Sequence, residues 1–376
     1  MKWNALTSYN ERERDLAKGR FFSEQDIKNG QNKTHSDILI SLEESPELRW
    51  SITKVQKEDN EELRNDVEEL ERVTSDIRSR WKANLEVNIP LVVYYPVNRA
   101  VLDIPLEIPQ ENSSEQVDAY KQALDGVQIR FGSFFQWFRS VEDVENEELR
   151  ENHNYRDERL EAVRKAISSL LGEEFSKLRV RRSPLRMTVT KQGQELIINQ
   201  LSDGEKCLLA MVGDLARRLA IANPGLSDPL QGSGVVLIDE IELHLHPKWQ
   251  REIIPALTRT FPNCQFIVTT HSPQVISQVK PEGIYILERT DAGIVAMRPE
   301  SSYGRDSNRI LEDLMDTPER PQEIKENLLE LFRLIAKGEL DSARLLHQKI
   351  ADEIGADEPE LVGASVSIRR REILGR

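Results

Sequence analysis

Acidic and imidazole side chains directly follow two apolar segments of the sequence. Asp239 and Glu240 come after the apolar run at 235–238, and His271 follows the segment at 266–270. Such short, β-branched runs are typical of strands buried in a parallel sheet. Because ligands bind beyond the carboxyl ends of parallel strands, we expect these side chains at one edge of the sheet. Asp239 could hold a magnesium ion there, directly or through water. Glu240 could polarise an attacking water, and His271 could hydrogen-bond a phosphate.

A third candidate is the segment "LSDGE" at 201–205, which begins a helical pattern. A helix N-terminus presents unpaired N–H groups and the positive end of the helix dipole, which suits an anion. Ser202 could cap the helix or donate its hydroxyl to a phosphate oxygen, and Gly204 would let a phosphate approach the backbone closely. Glu205 occupies the third helical position, where it can complete a capping box with Ser202. A plain capped helix and an anion site both fit this segment.

Together these segments resemble a known family. "LSDGE" is similar to the signature motif of ABC-type ATPases, "VVLIDE" to their Walker B strand and "THS" to their switch-histidine loop. The version "DEIELHLHP" resembles the RecF-like, SMC-like and OLD-like branch of the AAA-family ATPases. The segments "PLVVYYPVNR", "FFQWFRSVEDVENE", "SYGRDSNRIL" and "SIRRREILGR" look like the PtuA-type ATPases of Septu and retron anti-phage systems. Arg99, which ends the first of these segments, lies about where the resemblance places a loop that senses the γ-phosphate.

The resemblance implies an α/β fold, an ABC-type ATPase head with a helical insertion and a helical C-terminal tail. It implies that two heads sandwich ATP, with Mg²⁺ as the second cofactor. The residues that it places at the nucleotide are Ser202, Gly204, Glu205, Asp239, Glu240 and His271. Asp239 would be the magnesium ligand, and Glu240 and His271 would be catalytic, all acting on the chain's own ATP. Ser202 and Gly204 would contact the γ-phosphate of ATP bound mainly to the partner chain.

The family's phosphate-binding loop, G-x-x-x-x-G-K-[ST], has no counterpart in this sequence, which contains no Gly-Lys dipeptide. The nearest candidate is "NGQNKT" at 29–34, but Ile27 and Asn32 stand where the loop needs glycine. Either the sequence begins at an internal methionine that follows the loop, or the head has lost the loop and is structural. We expect the first, because a sheet without its central strand would expose a long edge. ATP hydrolysis is then expected if the full-length chain supplies the loop.

The bulk composition restricts partners and location. The 376-residue chain has a net charge of −14, which argues against non-specific coating of nucleic acid, although a local basic groove is compatible with it. Its two cysteines, Cys207 and Cys264, are expected to be reduced and buried. No apolar run approaches the roughly 18 residues of a membrane span, and the N-terminus lacks an apolar signal core. We therefore expect a cytoplasmic protein with no membrane partner.

The order of predicted elements divides the chain into four parts. These are an N-terminal head lobe at 1–111, a helical insertion at 112–176, a C-terminal lobe with the three motifs at 177–298 and a helical region at 299–376. Within the first part we expect a short helix and two strands over 1–54, then a charge-rich helix over 57–83. Strands that alternate with helices indicate a parallel α/β core. The segment Lys-Gln-Gly-Gln at 191–194 predicts a hairpin turn, and Gly338 and Gly355 predict helix ends.

The function that the resemblance implies is an ATP-binding and ATP-hydrolysing subunit of an anti-phage complex. The chain would form a homodimer or higher oligomer around ATP and control a separate nuclease subunit, such as an HNH protein. A retron reverse transcriptase with its RNA and DNA is a further partner that the resemblance implies. The sequence itself carries no HNH-like cluster and no Asp-x-Asp pair after His271, so the nuclease would be another chain.

Two other functions also fit the sequence. A RecF-like DNA-repair ATPase would bind duplex DNA through a basic segment, although a solvated strand face explains the same segment. Its residues are Lys177, Arg179, Arg181, Arg182 and Arg186. The other function is a scaffold head that does not hydrolyse ATP, in which Glu240→Gln would change nothing.

Overall fold

The computed structural model describes residues 27–42, 45–55, 66–84, 86–97, 99, 116–124, 126, 129, 131–291 and 293–374. The chain divides into two compact units, Met1–Val275 and Ile276–Arg376. The short helix expected near the N-terminus lies outside the described residues, as do residues 57–65 of the segment expected to form the charge-rich helix. Asp66 and Val67 are described and are not helical, so the helix begins at Glu68 rather than within the predicted segment's first residues. The four-part division inferred from the sequence stays a prediction.

The strands of the described residues are β1 (Lys33–Leu42), β2 (Ser45–Val55), β3 (Leu91–Tyr95), β4 (Phe175–Arg182), β5 (Leu185–Lys191), β6 (Gln194–Ile197), β7 (Gly234–Ile238), β8 (Cys264–Val268), β9 (Ile286–Thr290) and β10 (Gly293–Met297). The helices are α1 (Glu68–Ala83), α2 (Phe131–Glu151), α3 (Glu158–Leu171), α4 (Asp203–Ala222), α5 (Pro247–Thr260), α6 (Pro273–Ile276), α7 (Ser307–Met315), α8 (Gln322–Lys337), α9 (Leu340–Ile354) and α10 (Pro359–Leu374).

A parallel sheet of three strands, in the order β3-β7-β8, forms the centre of the first unit. Tyr95 pairs with Ile238, and Ile238 pairs with Val268, so the three strands end level with one another. Val236 and Ile238 lie on one face of β7 and are buried, whereas Val235 and Leu237 on the other face are half-buried. The chain therefore leaves β7 and β8 at the same edge of the sheet, which is the edge where the sequence predicted the acidic pair and the histidine.

Helix α4 is buried along nearly its whole length. All of its residues from Gly204 to Ala222 are buried, and it packs against α2 and α3. Its apolar residues surround the helix rather than forming one stripe, which is typical of a core helix. The charge that it carries is paired, because the Asp214 carboxylate accepts from Arg217 at 2.7 Å and from Arg218 at 2.6 Å. Such pairing is the condition for burying ionised groups in a core.

The other strands described in the first unit form two antiparallel sheets. β1 pairs with β2, and β4-β5-β6 forms a second sheet that leads into α4. The turn between β5 and β6 has positive φ at Gln192 (49°) and Gly193 (79°), the pattern of a two-residue hairpin turn whose twist matches its strands. This confirms the hairpin predicted from the Lys-Gln-Gly-Gln segment.

The second unit contains the β9–β10 hairpin and the helices α7 to α10 within its described residues. α8, α9 and α10 pack around a small apolar cluster that includes Leu331, Ile350 and Leu361. α8 ends at Gly338 (φ 81°) and α9 at Gly355 (φ 97°), so both predicted helix ends are confirmed. None of the helices in the described ranges is both long and apolar enough to cross a bilayer.

The predicted fold class is confirmed. A parallel sheet is flanked by helices in the first unit, α2 and α3 lie in the segment expected to form a helical insertion, and helices dominate the C-terminal part.

Candidate functional site

Asp239 lies directly after β7, and each of its carboxylate oxygens accepts one hydroxyl. Thr269 Oγ1 donates to Oδ1 at 2.5 Å, and the Tyr94 hydroxyl donates to Oδ2 at 3.3 Å. Burial and the nearby Asp239 charge raise the pKa of Tyr94 above its ordinary value, so the phenol remains a donor. Among the described residues, no lysine or arginine forms an ion pair with Asp239. The protein thus orients this carboxylate through hydroxyls, and the nearby Arg99 guanidinium binds the backbone carbonyl of Asp239.

Glu240 adopts a left-handed backbone conformation, with φ at 45°, which is uncommon for a residue other than glycine. Contacts on both sides hold it. Its N–H donates to Thr269 Oγ1 at 2.8 Å, and its carbonyl accepts from Arg99 Nη2 at 2.6 Å. Within the described part of the chain, no side chain donates a hydrogen bond to the Glu240 carboxylate. A strained residue that its surroundings hold in place is typical of functional sites.

Arg99 lies behind the acidic pair. Its side chain is buried, at 3% exposure, and its guanidinium donates to the carbonyls of Asp239 and Glu240 and to that of Pro96. A planar guanidinium can hold several acceptors in fixed directions. Arg99 therefore fixes the backbone path that follows β7, while the phosphate-sensing role implied by the resemblance stays a prediction.

His271 lies in the loop that follows β8, and its side chain is exposed. The backbone N–H of His271 donates to Glu242 Oε1 at 2.6 Å, and the Thr270 hydroxyl donates to Glu242 Oε2 at 2.6 Å. Ser272 donates its hydroxyl to Gln250 Oε1 at 2.7 Å. The loop is therefore bound on one side by the turn after β7 and on the other side by α5.

The start of α4 has the capping box predicted from the sequence. The Ser202 N–H and hydroxyl both donate to Glu205 Oε2 at 2.8 Å, and the Ser202 hydroxyl accepts from the Glu205 N–H. Lys191 donates to the other carboxylate oxygen, Oε1, at 2.5 Å. Burial opposes ionisation of Glu205, but Lys191 and Ser202 outweigh it, so the pKa of Glu205 lies below its ordinary value. Glu205 therefore stabilises the helix end as a carboxylate.

Gly204 lies against the turn that follows Glu240. A Cβ atom at position 204 would lie 2.3 Å from the carbonyl oxygen of His244, so only glycine allows this approach. His246, two residues later, caps α5 by accepting the Lys248 N–H on Nδ1 at 3.2 Å. The structure thus brings Asp239, Glu240 and His271 to one sheet edge and places the beginning of α4 against the turn beside them.

The residues present fit a magnesium–nucleotide site. Mg²⁺ at such sites is held by one or two carboxylates, with phosphates and water as the remaining ligands, and the oriented, unpaired Asp239 carboxylate meets this requirement. Across the described ranges, no group of three or more His, Cys, Asp or Glu residues is arranged to hold a metal. The N–H groups at the start of α4 would suit a phosphate.

The basic segment predicted as a possible DNA contact is largely paired within the chain. Arg181 and Arg179 both form ion pairs with Glu195, at 2.5 and 3.4 Å. The Arg181 hydrogen bond lowers the pKa of Glu195 to about 2. Arg182 pairs with Glu142 at 3.0 Å and Asp143 at 2.5 Å. These contacts favour the interpretation of this segment as a solvated strand face.

Sequence reasoning missed three residues that hold the site. Tyr94 and Thr269 lie at the ends of the strands on either side of β7. Their contact with Asp239 could therefore have been predicted from the sheet edge at which these strands end. Glu242 lies in the irregular turn after β7, where no periodicity indicates the direction of a side chain. Its contact with the His271 loop could not be read from the sequence.

The chain matches the family model described as "AAA domain, putative AbiEii toxin, Type IV TA system" over residues 15–277. It is 32% identical over 371 residues to a "Retron Vc95 probable ATPase" of Vibrio cholerae serotype O1 biovar El Tor, covering 85% of this chain and 72% of the relative. It is 32% identical over 365 residues to a "Retron Ec83 probable ATPase" of Escherichia coli, covering 80% of this chain and 66% of the relative.

A shorter match links the chain to a "Septu protein PtuA" of Bacillus mycoides (strain KBAB4), at 41% identity over 76 residues. This match covers 20% of this chain and 10% of the relative. The matches confirm the resemblance to retron and Septu ATPases that the motifs predicted.

Proposed function

The chain belongs to the AAA-domain family described as "AAA domain, putative AbiEii toxin, Type IV TA system", and from this premise we propose that it is the ATP-binding and ATP-hydrolysing subunit of an anti-phage defence complex. In this proposal two copies close around ATP, and the nucleotide state controls a separate nuclease subunit. One observation carries the proposal. Asp239 and Glu240 lie at the end of β7, and His271 lies in the loop after its parallel neighbour β8.

Each of these residues has a defined task. Asp239 would hold Mg²⁺ directly or through water, and the ion would offset the charge of the phosphates. The Glu240 carboxylate would orient and polarise the attacking water, since Thr269 and Arg99 fix the backbone that carries it. His271, whose backbone is bound and whose side chain is exposed, would hydrogen-bond the γ-phosphate.

The start of α4 would act on the nucleotide bound mainly by the partner chain. Ser202 would turn its hydroxyl from Glu205 to the γ-phosphate, while the Ser202 N–H remains bound to Glu205. Gly204 would leave the helix N–H groups open to the phosphate. Hydrolysis would then require both chains, which links dimer closure to the nucleotide state.

The names of the two retron relatives, each a probable ATPase, support the defence role and the chemistry. The nuclease, and a reverse transcriptase with its RNA and DNA, are proposed partners that rest on the resemblance. The chain covers 72% and 66% of these relatives, so the activity of the whole protein is part of the proposal. The experiments therefore use the protein as its own operon encodes it.

The first test replaces Glu240 with glutamine. The amide cannot take up charge from the attacking water, so we expect phosphate release to fall by about 100-fold or more while ATP still binds. The ATP-bound variant should then persist as a dimer, measured by light scattering after size-exclusion chromatography. Glu252→Gln is the matched control, because Glu252 is an exposed carboxylate on α5 and its replacement should leave phosphate release unchanged.

Two results would contradict the proposal. If Glu240→Gln leaves a measurable phosphate release unchanged, the carboxylate is not the catalytic base, and if neither protein releases phosphate, the scaffold function is favoured. If the wild-type protein hydrolyses ATP fully without any partner-dependent change, the control of a second subunit is wrong.

The partner is tested by purifying the complex from its own operon. The proposal expects a second protein with nuclease activity, or bound nucleic acid, in a native complex whose mass exceeds that of the ATPase subunits. Nuclease activity should differ between complexes that hold wild-type protein and those that hold Glu240→Gln. A native mass made up of this subunit alone would exclude the proposed assembly.

A further inference from the structure

We propose that Glu242 is a positioning residue that holds the His271 loop in its working place, an inference that rests on the proposed ATPase function. Its two carboxylate oxygens accept from two consecutive residues of that loop. Oε1 binds the His271 N–H and Oε2 binds the Thr270 hydroxyl, each at 2.6 Å. A carboxylate that spans two neighbouring donors fixes both the position and the direction of the segment that carries them.

The turn that carries Glu242 is itself fixed. The carbonyl of Glu242 accepts the Leu245 N–H at 2.9 Å. Gln250 of α5 donates to the Leu245 carbonyl at 2.8 Å and accepts from Ser272 at 2.7 Å. Glu242 and Gln250 therefore bind the His271 loop from two sides. The turn that carries Glu242 and the helix α5 that carries Gln250 are themselves joined by the Gln250–Leu245 hydrogen bond. Because the backbone of His271 is held in this way, the point from which its exposed imidazole extends is fixed.

The contacts require two positions that can form hydrogen bonds rather than a negative charge. In Glu242→Gln the amide oxygen could still accept the His271 N–H, and the amide N–H could donate to the Thr270 hydroxyl, which can accept as well as donate. In Glu242→Ala both contacts are lost. The glutamine variant should therefore retain the geometry of the loop, whereas the alanine variant should not.

The first experiment measures the geometry without relying on ATP hydrolysis. Hydrogen exchange is followed by mass spectrometry in peptides that cover 269–272. We expect Glu242→Ala to speed exchange there by about tenfold to 100-fold, as expected for loss of a hydrogen bond to a charged group, and Glu242→Gln to remain close to wild type. Glu69→Ala is the control, because Glu69 of α1 also accepts a backbone N–H, that of Arg49 at 3.0 Å, on a different element. It should leave exchange at 269–272 unchanged.

The second experiment measures catalysis. Glu242→Ala should lower kcat by about 10- to 100-fold, the range for removing an outer hydrogen-bond partner of a reacting group, with KM for ATP changed by less than about threefold. In a His271→Ala background the same replacement should have little further effect, because both changes remove one function. Glu69→Ala should instead have the same effect in both backgrounds.

The outcomes separate this inference from the proposed function. Unchanged exchange at 269–272 in Glu242→Ala would overturn the inference whatever the activity. If His271→Ala abolishes hydrolysis and Glu242→Ala does not alter kcat, the ATPase function stands and the positioning role is wrong. If neither His271→Ala nor Glu240→Gln affects hydrolysis, the proposed function is wrong and the catalytic part of this inference falls with it.

Discussion

Tyr94 and Tyr95 are neighbours on β3, but their hydroxyls bind two aspartates in opposite electrostatic surroundings. Successive side chains of a strand point to opposite faces, so Tyr94 reaches Asp239 at the sheet edge while Tyr95 reaches Asp214 on α4 at 3.1 Å. Asp214 also binds Arg217 and Arg218. Asp239 is bound by hydroxyls, and no cationic side chain of the described residues pairs with it.

The Asp214 and Asp239 carboxylates differ in the groups that balance their charge. Burial would raise the pKa of Asp214, but Arg218 and Arg217 outweigh it and bring the pKa to about 2. The same surroundings, chiefly burial and the Asp214 charge, raise the pKa of Tyr95 well above its ordinary value. Asp214 is therefore neutralised by the fold itself. Asp239 is bound by two hydroxyls instead, and the proposed function assigns its carboxylate to a metal ion that arrives with the nucleotide.

Replacing Asp214 with asparagine should give the largest effect on stability. The amide keeps a hydrogen-bond acceptor but leaves two buried guanidinium groups without a counter-charge, which costs about 3–5 kcal/mol in the free energy of unfolding. Urea denaturation measures the change. Asp228→Asn is the matched control, because Asp228 pairs with the exposed Lys165 and its loss should cost at most about 1 kcal/mol. A change below about 1 kcal/mol for Asp214→Asn would show that the arginines find other partners.

Acid provides a second check on Asp214. Its folded-state pKa of about 2 lies below the ordinary value of 3.8, so the ionised group stabilises the fold above about pH 4. This stabilisation is lost as the pH falls from about 4 towards 2. The difference in stability between wild type and Asp214→Asn should therefore narrow over that interval, and a constant difference would contradict the assignment.

Asp239→Asn should affect function far more than stability. The amide oxygen of asparagine can still accept the Thr269 hydroxyl, and its NH2 group can donate to the Tyr94 hydroxyl oxygen. The melting temperature should therefore change by less than about 3 °C, as expected for a change below about 1 kcal/mol. Loss of the charge should lower magnesium-dependent ATP hydrolysis by on the order of 100-fold. Titration of Mg²⁺ in the hydrolysis assay measures the effect. If Asp239→Asn lowered the melting temperature by much more than about 3 °C, Asp239 would be a structural carboxylate, as Asp214 is.

The two tyrosines give the smallest and most direct comparison. Tyr95→Phe removes a buried hydrogen bond to Asp214 and should cost about 1 kcal/mol of stability with little change in hydrolysis. Tyr94→Phe should cost less than about 0.5 kcal/mol, because Tyr94 is only half-buried and such sites tolerate change. It should raise the Mg²⁺ concentration needed for half-maximal activity by a few-fold. If the two replacements had equal effects on stability and on the Mg²⁺ dependence of hydrolysis, the proposed difference between Asp214 and Asp239 would be wrong.

Local patterns in the sequence predicted the elements that carry the site. The apolar run before Asp239 predicted β7, and the spacing of Ser202 and Glu205 predicted the capping box at the start of α4. Both follow from interactions between residues a few positions apart. The ends of parallel strands lie at one edge by geometry, so the meeting of Asp239 with the residues after β8 could also be predicted.

The contacts that hold these residues could not be predicted. Arg99 binds carbonyls 140 and 141 positions away, and Glu242 binds a loop 28 and 29 positions away. No periodicity links such positions, because the directions of these side chains depend on how turns pack after the sheet has formed. The resemblance implies a phosphate-sensing role for Arg99. It does not predict the observed hydrogen bonds from the Arg99 guanidinium to backbone carbonyls.

The approach of Gly204 to the His244 carbonyl has a mechanical consequence. With no side chain on Gly204, the start of α4 and the turn after Glu240 meet backbone to backbone, and a Cβ atom there would lie 2.3 Å from that oxygen. A backbone contact cannot absorb movement by changing rotamers, so a push on one element moves the other. In the proposed dimer α4 faces the partner's ATP and the turn holds the His271 loop at the chain's own ATP. The contact would then transmit movement between the two elements, so that loss of the γ-phosphate from one ATP of the dimer would change the rate of hydrolysis of the other ATP.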